Sequence, residues 1–378
     1  MIIWDLVVVG GGPAGLSAAH AAARAGVRTL VVERATHPRY KTCGGGLIGT
    51  SLAEVGDLIE VPAQDRTDRV TFTRDGRRAF TRRNGTPLVT MIRREELDDR
   101  LRAAAVAAGA QVREGVAVRA VEQDPDEVRL RLADGEVVRA RTVVGADGSS
   151  GVTARHVGVR FRQVDLGLEL ELPVSAAERD RWRGRVLIDW GPVPGSYAWV
   201  FPKGDRLTVG VIATRGEGER TRAYLRDFVA RLGLAGIDPE HDSGHLTRCR
   251  AEDSPLRHGR VLVAGDAAGL LEPWSREGIS YALRSGRLAG AAVAGGDLDA
   301  YGREVEARLT PEMRAGHRLL DVFERRPDVF HAVLASPPGW RMFVRFCQGK
   351  ASFAEALHRR PVRAGLALVD RLPPVRAR

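Results

Sequence analysis

Cysteine is scarce in this chain of 378 residues, and Cys43, Cys249 and Cys347 are too few for a disulfide framework. A reducing cytoplasm is therefore the predicted compartment. No apolar run approaches the roughly 18 residues that a membrane-spanning helix needs, so any membrane contact is expected to be peripheral. No signal peptide is expected either, because the first buried strand begins at residue 2.

Lysine is almost absent: Lys41, Lys203 and Lys350 are its only occurrences, although the formal net charge is +10. Arginine therefore carries the basic charge. One interpretation is a coding bias toward arginine on a solvated surface, and the other is attraction to an anionic lipid or a diphosphate. No aromatic-basic platform or nucleic-acid motif occurs, so no nucleic-acid partner is predicted. No metal site is predicted, and the oligomeric state is left open.

The first strong motif is a glycine-rich turn between a strand and a helix. An apolar run over Ile2–Val9 predicts a strand buried on both faces, and the alanine-rich segment 14–25 predicts a helix. The spacing of Gly10, Gly12 and Gly15 fits a tight turn whose backbone approaches a pyrophosphate. The N–H groups at the start of the helix would bind the phosphates.

Further polar positions complete a cofactor-binding pattern that spans the chain. Glu33 ends the second predicted strand, where an acid accepts hydrogen bonds from a ribose diol. Much later, a strand over 260–264 leads to Asp266, whose carboxylate can accept a hydrogen bond from a ribityl hydroxyl. Gly278 and Ile279 then begin a helix whose N-terminus would stabilise negative charge on a reduced flavin. A cofactor bound by such distant segments predicts FAD and redox chemistry.

The organisation is interleaved, with a cofactor domain built from separated segments around a β-rich insertion. The predicted boundaries are 1–67, 88–155 and 251–295 for the FAD-binding domain, 68–87 and 156–250 for the β-rich substrate domain, and 296–378 for a helical C-terminal region interrupted at Pro337-Pro338. Local patterns predict a hairpin over 69–82, a helix over 94–108, and strands over 112–124 and 128–138, the latter ending near Asp134-Gly135. They also predict a half-buried strand where leucines alternate over 166–172.

Two further motifs point to a known family. One is Cys43-Gly44-Gly45-Gly46, in the loop after the second strand. The other is Tyr197-Ala198-Trp199-Val200-Phe201-Pro202, preceded by Pro194 and followed by Gly210. With the cofactor pattern and Gly145-Ala146-Asp147-Gly148, they resemble the geranylgeranyl reductase family of FAD-dependent oxidoreductases. Pieces of this resemblance run from residue 5 to about residue 290.

The resemblance implies a fold class and a set of contacts. The fold would be α/β, with an FAD-binding Rossmann-like domain of aromatic-hydroxylase topology, an inserted β-sheet substrate domain and a helical C-terminus. The residues expected to bind FAD are Gly10, Gly12, Ala14, Gly15, Glu33, Arg34, Cys43, Gly44, Gly46, Arg94, Val118, Asp147, Asp266, Pro273, Gly278 and Ile279.

The sequence departs from the family pattern at two places. The prenyl-chain motif usually closes Gly-x-Gly, but Ile212 occupies the last position here. The stretch before the flavin helix is commonly Thr-Gly-Glu-Gly, and here it is Ser275-Arg276-Glu277-Gly278. Arg276 beside the flavin would alter the choice of electron donor or bind an acidic substrate head.

The implied activity is reduction of carbon–carbon double bonds in a prenyl chain. Side chains alternate along a strand, so Tyr197, Trp199 and Phe201 would form one apolar wall that binds the chain; the alternative is an ordinary core between domains. Reduced flavin would give hydride to one alkene carbon, and the other carbon needs a proton. Cys43 is the expected acid, because thiols are mostly protonated at neutral pH; its alternative role is packing.

Several alternatives stay open. The substrate would be geranylgeranyl diphosphate, a prenylated lipid or a quinone tail, and NADPH or a ferredoxin-like protein would reduce the flavin. A monooxygenase or halogenase of the same fold is the second interpretation, although the Trp-x-Trp-x-Ile-Pro motif of tryptophan halogenases is absent. A flavin-binding partner protein without turnover is the third.

Overall fold

The computed structural model describes residues 2–373. The strands are β1 (Ile3–Val9), β2 (Thr29–Val32), β3 (Gly46–Leu47), β4 (Ala63–Thr67), β5 (Arg69–Arg74), β6 (Arg77–Arg83), β7 (Val89–Ile92), β8 (Gln111–Arg113), β9 (Val118–Gln123), β10 (Val128–Leu132), β11 (Val137–Gly145), β12 (Phe161–Pro173), β13 (Arg185–Trp190), β14 (Tyr197–Lys203), β15 (Arg206–Thr214), β16 (His241–Arg250), β17 (Arg257–His258) and β18 (Val261–Val263).

The α-helices alternate with these strands and then dominate the C-terminal part. They are α1 (Pro13–Arg24), α2 (Gly49–Gly56), α3 (Arg94–Ala107), α4 (Val152–Val157), α5 (Ala176–Trp182), α6 (Gly218–Arg231), α7 (Ile279–Ala294), α8 (Leu298–Arg308), α9 (Thr310–Arg325), α10 (Pro327–Ala335), α11 (Pro337–Cys347), α12 (Phe353–His358) and α13 (Arg360–Asp370). A short 3-10 helix, Gly265–Ala268, precedes α7.

The first sheet has the glycine-rich turn at the end of its central strand. Its strands lie in the order β17-β18-β11-β1-β2-β8, and the hairpin β9–β10 is attached to β11. β1 pairs in parallel with β11 and β2, so Val9, Gly145 and Val32 lie side by side where the strands end. Doubly wound folds bind their ligands at the carboxyl edge of such a sheet.

Two predicted strands are interrupted by left-handed glycine turns. The strand predicted over 112–124 is two strands, β8 and β9, because the chain turns at Gly115, whose φ is +76°. The strand predicted over 128–138 ends at Leu132, and a turn through Gly135, whose φ is +88°, leads into β11. The second turn lies near Asp134-Gly135, where the sequence predicts a strand end. The first turn was not predicted, because apolar residues recur on both sides of Gly115.

The second sheet has the order β16-β12-β15-β14-β13-β5-β6. The leucines predicted to alternate lie on β12, which pairs with β15 on one side and β16 on the other. The prediction of a half-buried strand is wrong in part, because Glu169 and Glu171 between the leucines are 1% and 4% exposed. Their carboxylates bind a buried lysine and a loop of the cofactor segment, which replaces the water they would otherwise require.

The C-terminal region is helical from α8 to α13, and the predicted interruption at Pro337-Pro338 lies between α10 and α11. Phe323 on α9 and Cys347 on α11 pack with Phe72 and Trp190 of the second sheet. These helices therefore cover one end of that sheet. Among the helices within residues 2–373, none is both long enough and apolar enough to cross a bilayer.

Candidate active site

The glycine-rich turn has a shape that side chains would destroy. Gly10 has a left-handed φ of +106°, and a Cβ there would overlap the carbonyl oxygen of Ala146. A Cβ on Gly15 would overlap the carbonyl oxygen of Gly10 in the same way. At Gly12, in contrast, a Cβ would lie 3.6 Å from the Arg39 guanidinium as its nearest described neighbour, so that side of the turn is open.

The N-terminus of α1 faces this opening. Gly12 is its N-cap residue, and no side chain within the described residues caps the first turn. Such N–H groups carry a partial positive charge and bind phosphate readily. The uncapped helix and the open side of Gly12 fit the pyrophosphate of FAD.

Helices α1 and α7 run side by side in the same direction. A Cβ on Gly286 would overlap the carbonyl oxygen of Ala14, and a Cβ on Gly290 would overlap that of Ala18. Contacts that advance by four residues along both helices require parallel packing, so both N-termini lie at the same end. The first turn of α7 has no acidic residue, and its N-cap is Gly278. Because Gly286 lies beside Ala14, α7 begins about two turns beyond the start of α1 at this end. Two separated positive helix ends suit a long cofactor with an anionic centre and an anionic reduced ring.

Glu33 lies at the end of β2, 5% exposed, where the sequence places the ribose acceptor. Its Oε2 accepts a hydrogen bond from the Gly11 N–H at 2.5 Å, and its Oε1 accepts one from the Ala35 N–H at 3.0 Å. Glu33 therefore also holds the glycine turn in place. The predicted Arg34 is exposed. Arg39, which the sequence did not indicate, lies 3.7 Å from Glu33 and donates to the Gly11 carbonyl at 3.4 Å.

Arg94 is the first residue of α3 and is buried beside the Cys43 loop. Its guanidinium binds Asp98 through two hydrogen bonds of 2.9 and 2.8 Å. Burial disfavours the charge, but the Asp98 carboxylate and the neighbouring Cys43 hold the pKa of Arg94 above its ordinary value. The predicted cofactor arginine is therefore a fixed positive charge at this site.

Asp266, in the short 3-10 helix, lies among basic groups from distant parts of the chain. Burial opposes its ionisation, but His245 at 3.4 Å and the charges of Lys41 and Arg94 lower the pKa of Asp266. Burial and Arg94 in turn lower the pKa of Lys41. The structure thus brings the early and late cofactor segments together around one group of charges.

Three other predicted contacts have their own partners in the chain. Asp147 accepts a hydrogen bond from the Thr153 N–H at 3.1 Å and another from its hydroxyl, so its carboxylate holds the start of α4. Val118 begins β9 and pairs with Leu132 across the hairpin. The Pro273 carbonyl accepts from Gln163 at 3.1 Å. Their contacts with FAD stay predictions.

The peptide of Cys43 is fixed on both sides by a buried charged cluster. Its N–H donates to Oε1 of Glu169 at 3.0 Å, and its carbonyl accepts from Nζ of Lys203 at 3.1 Å. Lys203 also binds Glu171 at 2.8 Å, and Tyr40 donates to Glu169 at 3.2 Å. Lys203 is 2% exposed and forms an ion pair with Glu171, whereas Glu169 is 1% exposed and burial raises its pKa.

The three predicted aromatic residues form one row on β14. The ring centroids of Tyr197 and Trp199 are 5.9 Å apart, and those of Trp199 and Phe201 are 6.2 Å apart. A Cβ on Gly210 of β15 would overlap the Trp199 ring, so this glycine makes room for the indole. A Cβ on Gly44 would lie 3.0 Å from Phe201 and 3.3 Å from Nε1 of Trp199. The aromatic row therefore lies directly against the loop that carries Cys43.

Sequence reasoning missed the residues that hold this loop. Lys203 directly follows the aromatic motif in a chain with very few lysines, and that rarity was a usable signal. Glu169 and Glu171 alternate with leucine, and the same alternation is typical of a solvated strand face. Only the tertiary structure shows that their partners are buried with them.

The chain matches a family model described as FAD binding domain over residues 4–294. It is 32% identical over 334 residues to a menaquinone reductase from Mycobacterium tuberculosis, covering 82% of this chain and 79% of the relative. It is 32% identical over 314 residues to a geranylgeranyl diphosphate reductase from Rhodobacter capsulatus, covering 76% and 74%. A digeranylgeranylglycerophospholipid reductase from Methanothermobacter thermautotrophicus is 31% identical over 318 residues, covering 77% and 78%.

Solved structures share the fold at lower identity. A geranylgeranyl bacteriochlorophyll reductase-like protein from Thermoplasma acidophilum superimposes with a TM-score of 0.76 at 21% identity, covering 94% of this chain and 98% of that one. A flavin-dependent brominase gives a TM-score of 0.74 at 18% identity, covering 98% and 100%. At these identities the structures support the α/β flavoprotein fold and nothing finer.

Proposed function

Because the chain belongs to the geranylgeranyl reductase family of FAD-dependent oxidoreductases, we propose that it saturates carbon–carbon double bonds in a prenyl chain. The observation that carries this proposal is the aromatic row of Tyr197, Trp199 and Phe201 against the Cys43 loop. The relatives are named for a prenyl diphosphate, a prenylated phospholipid and a quinone, and these substrates have a prenyl group in common. The prenyl group is therefore the part of the substrate that we propose this protein binds.

FAD would be held by the glycine turn, Glu33, Arg94, Asp266 and the start of α7. When bound and reduced, FAD supplies the hydride that one alkene carbon receives. NADPH or a ferredoxin-like protein would reduce the flavin again after each turnover, because both classes of electron donor reduce flavoproteins.

The aromatic row would bind the hydrocarbon and keep water from the reacting bond. A prenyl chain offers almost only apolar surface, and each CH₂ group that leaves water contributes about 0.8 kcal/mol. Trp199 is 7% exposed and its ring is fixed over Gly210, so the row is pre-ordered before a substrate arrives. A rigid wall of this kind binds a chain at lower entropic cost than a flexible one.

Cys43 would supply the proton to the second alkene carbon. An isolated alkene is a weak electrophile, so hydride addition requires an acid at the other carbon. The Sγ–H bond breaks, the proton joins that carbon, and the thiolate takes a proton back from solvent. Lys203 and Glu169 fix the Cys43 peptide, and Arg94 beside it would stabilise the transient thiolate.

A monooxygenase or halogenase activity is the second candidate, because a flavin-dependent brominase shares the fold. The two activities differ in their need for oxygen. A prenyl reductase works without oxygen and adds two hydrogens per double bond. A monooxygenase or halogenase consumes oxygen and adds an oxygen or halogen atom.

The test is an anaerobic reaction of the FAD-loaded protein, reduced with dithionite, with a set of prenyl substrates. Mass spectrometry of the products should show a gain of two hydrogens for each double bond reduced. Products that appear only with oxygen and carry an added oxygen or halogen atom would replace this proposal with the second candidate.

A further inference from the structure

Arg276 has a backbone conformation that bulky residues rarely adopt. Its φ is +58°, in the left-handed region that favours glycine. Its N–H donates to the Glu272 carbonyl at 3.0 Å, in the turn that leads to α7. Such a conformation persists where the surrounding structure holds it, and it is concentrated at functional sites.

The Arg276 side chain is buried with one nitrogen unused. Its side chain is 2% exposed, and Nε donates to Oδ2 of Asp165 at 3.0 Å. Nη1 donates to the Trp274 carbonyl at 2.7 Å. Nη2 has no hydrogen-bond partner in the part of the chain that the structure describes. A buried donor of this kind normally has a partner, so a ligand or a water is expected there.

The guanidinium lies at one end of the aromatic row. Its Cζ is 5.7 Å from the centre of the Tyr197 ring, and the Tyr197 hydroxyl donates to the Ser275 carbonyl at 2.5 Å. Gly44 lies against Trp199 and Phe201, and the Cys43 carbonyl accepts from Lys203, two residues beyond Phe201 on β14. The Cys43 loop is therefore nearer the other end of the row. A chain that lies along the three rings would therefore have its alkene at the Cys43 loop and its polar end at Arg276.

The charges around Arg276 decide which polar group fits. Asp165 already neutralises the guanidinium through an ion pair of 3.0 Å. Glu272 is 3% exposed, and burial raises its pKa. Glu324 lies nearby, and burial raises its pKa too. A neutral carbonyl oxygen needs one donor, which the unpartnered Nη2 supplies, whereas a diphosphate would need several cations and would find a guanidinium that Asp165 already neutralises.

We propose that Arg276 anchors the substrate head group and that its Nη2 donates a hydrogen bond to a neutral carbonyl oxygen, as in a prenylated quinone or a prenyl ester. The inference rests on the proposed prenyl reduction and narrows its substrate class. It differs from the acidic head group expected from the sequence, because the sequence does not show that Asp165 neutralises the arginine.

The experiment compares four substrates with the same prenyl chain: a quinone, an ester, a diphosphate and a hydrocarbon without a head group. The FAD-loaded enzyme and three variants are assayed anaerobically, with product mass as the readout. The variants are Arg276→Gln, the double variant Arg276→Gln with Asp165→Asn, and the control Arg162→Gln, which changes an exposed arginine on the same strand as Asp165. The double variant avoids a stranded buried carboxylate.

We expect both Arg276 variants to raise KM for the quinone, the ester or both by about tenfold or more, since a hydrogen bond from a charged donor is lost. KM for the hydrocarbon should stay unchanged. Whether KM rises for the quinone or for the ester shows which of these two carbonyl compounds Arg276 binds. Equal changes for all four substrates would show a packing role and overturn the inference. A selective loss with the diphosphate would overturn it in favour of an anion site.

Equilibrium binding separates this inference from the proposed function. Short-chain versions of the four compounds dissolve in water, and their binding to the oxidised enzyme and variants can be measured by calorimetry. If no compound is reduced but carbonyl compounds still bind in an Arg276-dependent way, the inference stands and the proposed function fails. If compounds are reduced without Arg276-dependent selectivity, the opposite holds.

Discussion

At the scale of single residues, the site depends on how a few buried polar groups are paired. Glu169 and Lys203 hold Cys43 through its backbone N–H and its carbonyl. The thiol is therefore positioned by two hydrogen bonds that do not involve the sulfur. The holding groups are a lysine and two glutamates that are almost fully buried. Lys203 and Glu171 offset each other as an ion pair, whereas Glu169 accepts hydrogen bonds from the Cys43 N–H and the Tyr40 hydroxyl, and burial raises its pKa. The proposed acid therefore occupies a loop that the second sheet fixes in place.

Replacing Cys43 by alanine should remove the proton donor. We expect alkene reduction to fall by about 100-fold or more, which is the usual contribution of general-acid catalysis, while FAD content stays unchanged. Anaerobic product mass and the flavin absorbance measure these two quantities. Cys347→Ala, at a buried cysteine of the helical region, is the matched control. Turnover that survives Cys43→Ala at saturating reductant would remove this residue from the mechanism.

Replacing Lys203 by methionine tests the positioning of the Cys43 loop. The single variant leaves Glu171 unpaired in the interior, so we expect a loss of stability of about 3–5 kcal/mol. Adding Glu171→Gln should recover most of that stability. If Lys203 positions Cys43, turnover should stay low in the stable double variant, as kcat measurements beside urea unfolding would show. Recovery of both quantities would mean that the lysine serves only stability.

At the scale of elements, two arrangements build the site. Parallel α1 and α7 place two helix N-termini at the same end of the pair, because Gly286 and Gly290 allow the helices to approach closely in one direction. Strand β14 places three rings in one row, and Gly210 on β15 leaves room for the middle ring. In both cases small residues on one element permit the close approach of another. Packing between elements thus determines the positions of the cofactor site and of the aromatic row.

Trp199→Ala should shorten the apolar wall on β14. We expect KM to rise more for a C20 chain than for a C10 chain, because the longer chain covers more of the row. Anaerobic assays with the two chain lengths measure this difference. Trp182→Ala on α5, a buried tryptophan outside the row, is the control for general core damage. Equal losses for both lengths in Trp199→Ala would show that the rings are ordinary core.

Glu277, just before α7, should make stability depend on pH. Burial raises the pKa of Glu277 to about 7, Glu272 adds to this, and the Ser280 N–H opposes it. The folded state therefore binds the proton more tightly than the unfolded state. The stabilising contribution of protonated Glu277 is complete below about pH 4.5 and is lost as the pH rises through about 7.

Glu277→Gln keeps the acceptor for the Ser280 N–H and removes the titration. The free energy of unfolding of wild type relative to this variant should fall by about 2–3 kcal/mol between pH 5 and pH 8, because the interval covers most of the rise in pKa from 4.5 to about 7. Urea unfolding of the FAD-saturated proteins at the two pH values measures the difference. A difference that does not change with pH would contradict the assignment.

At the scale of the whole molecule, the sequence predicts the flavoprotein fold well because its signals are local. The glycine turn, the buried strands and the Asp266 segment each carry their own spacing, and their order along the chain implies one cofactor site. The break at Gly115 was missed, since alternation continues across it, whereas the turn at Gly135 lies where the sequence places a strand end. The cluster of Lys203, Glu169 and Cys43 was missed for another reason: its members are far apart in sequence and meet only through sheet pairing.

The central claim is that reduced FAD on this chain gives its electrons to a prenyl double bond. The most direct measurement is the return of oxidised-flavin absorbance when the reduced protein is mixed, without oxygen, with a prenyl substrate whose head group cannot accept electrons. We expect reoxidation, with one double bond saturated for each FAD oxidised. A flavin that stays reduced until oxygen is admitted would contradict it.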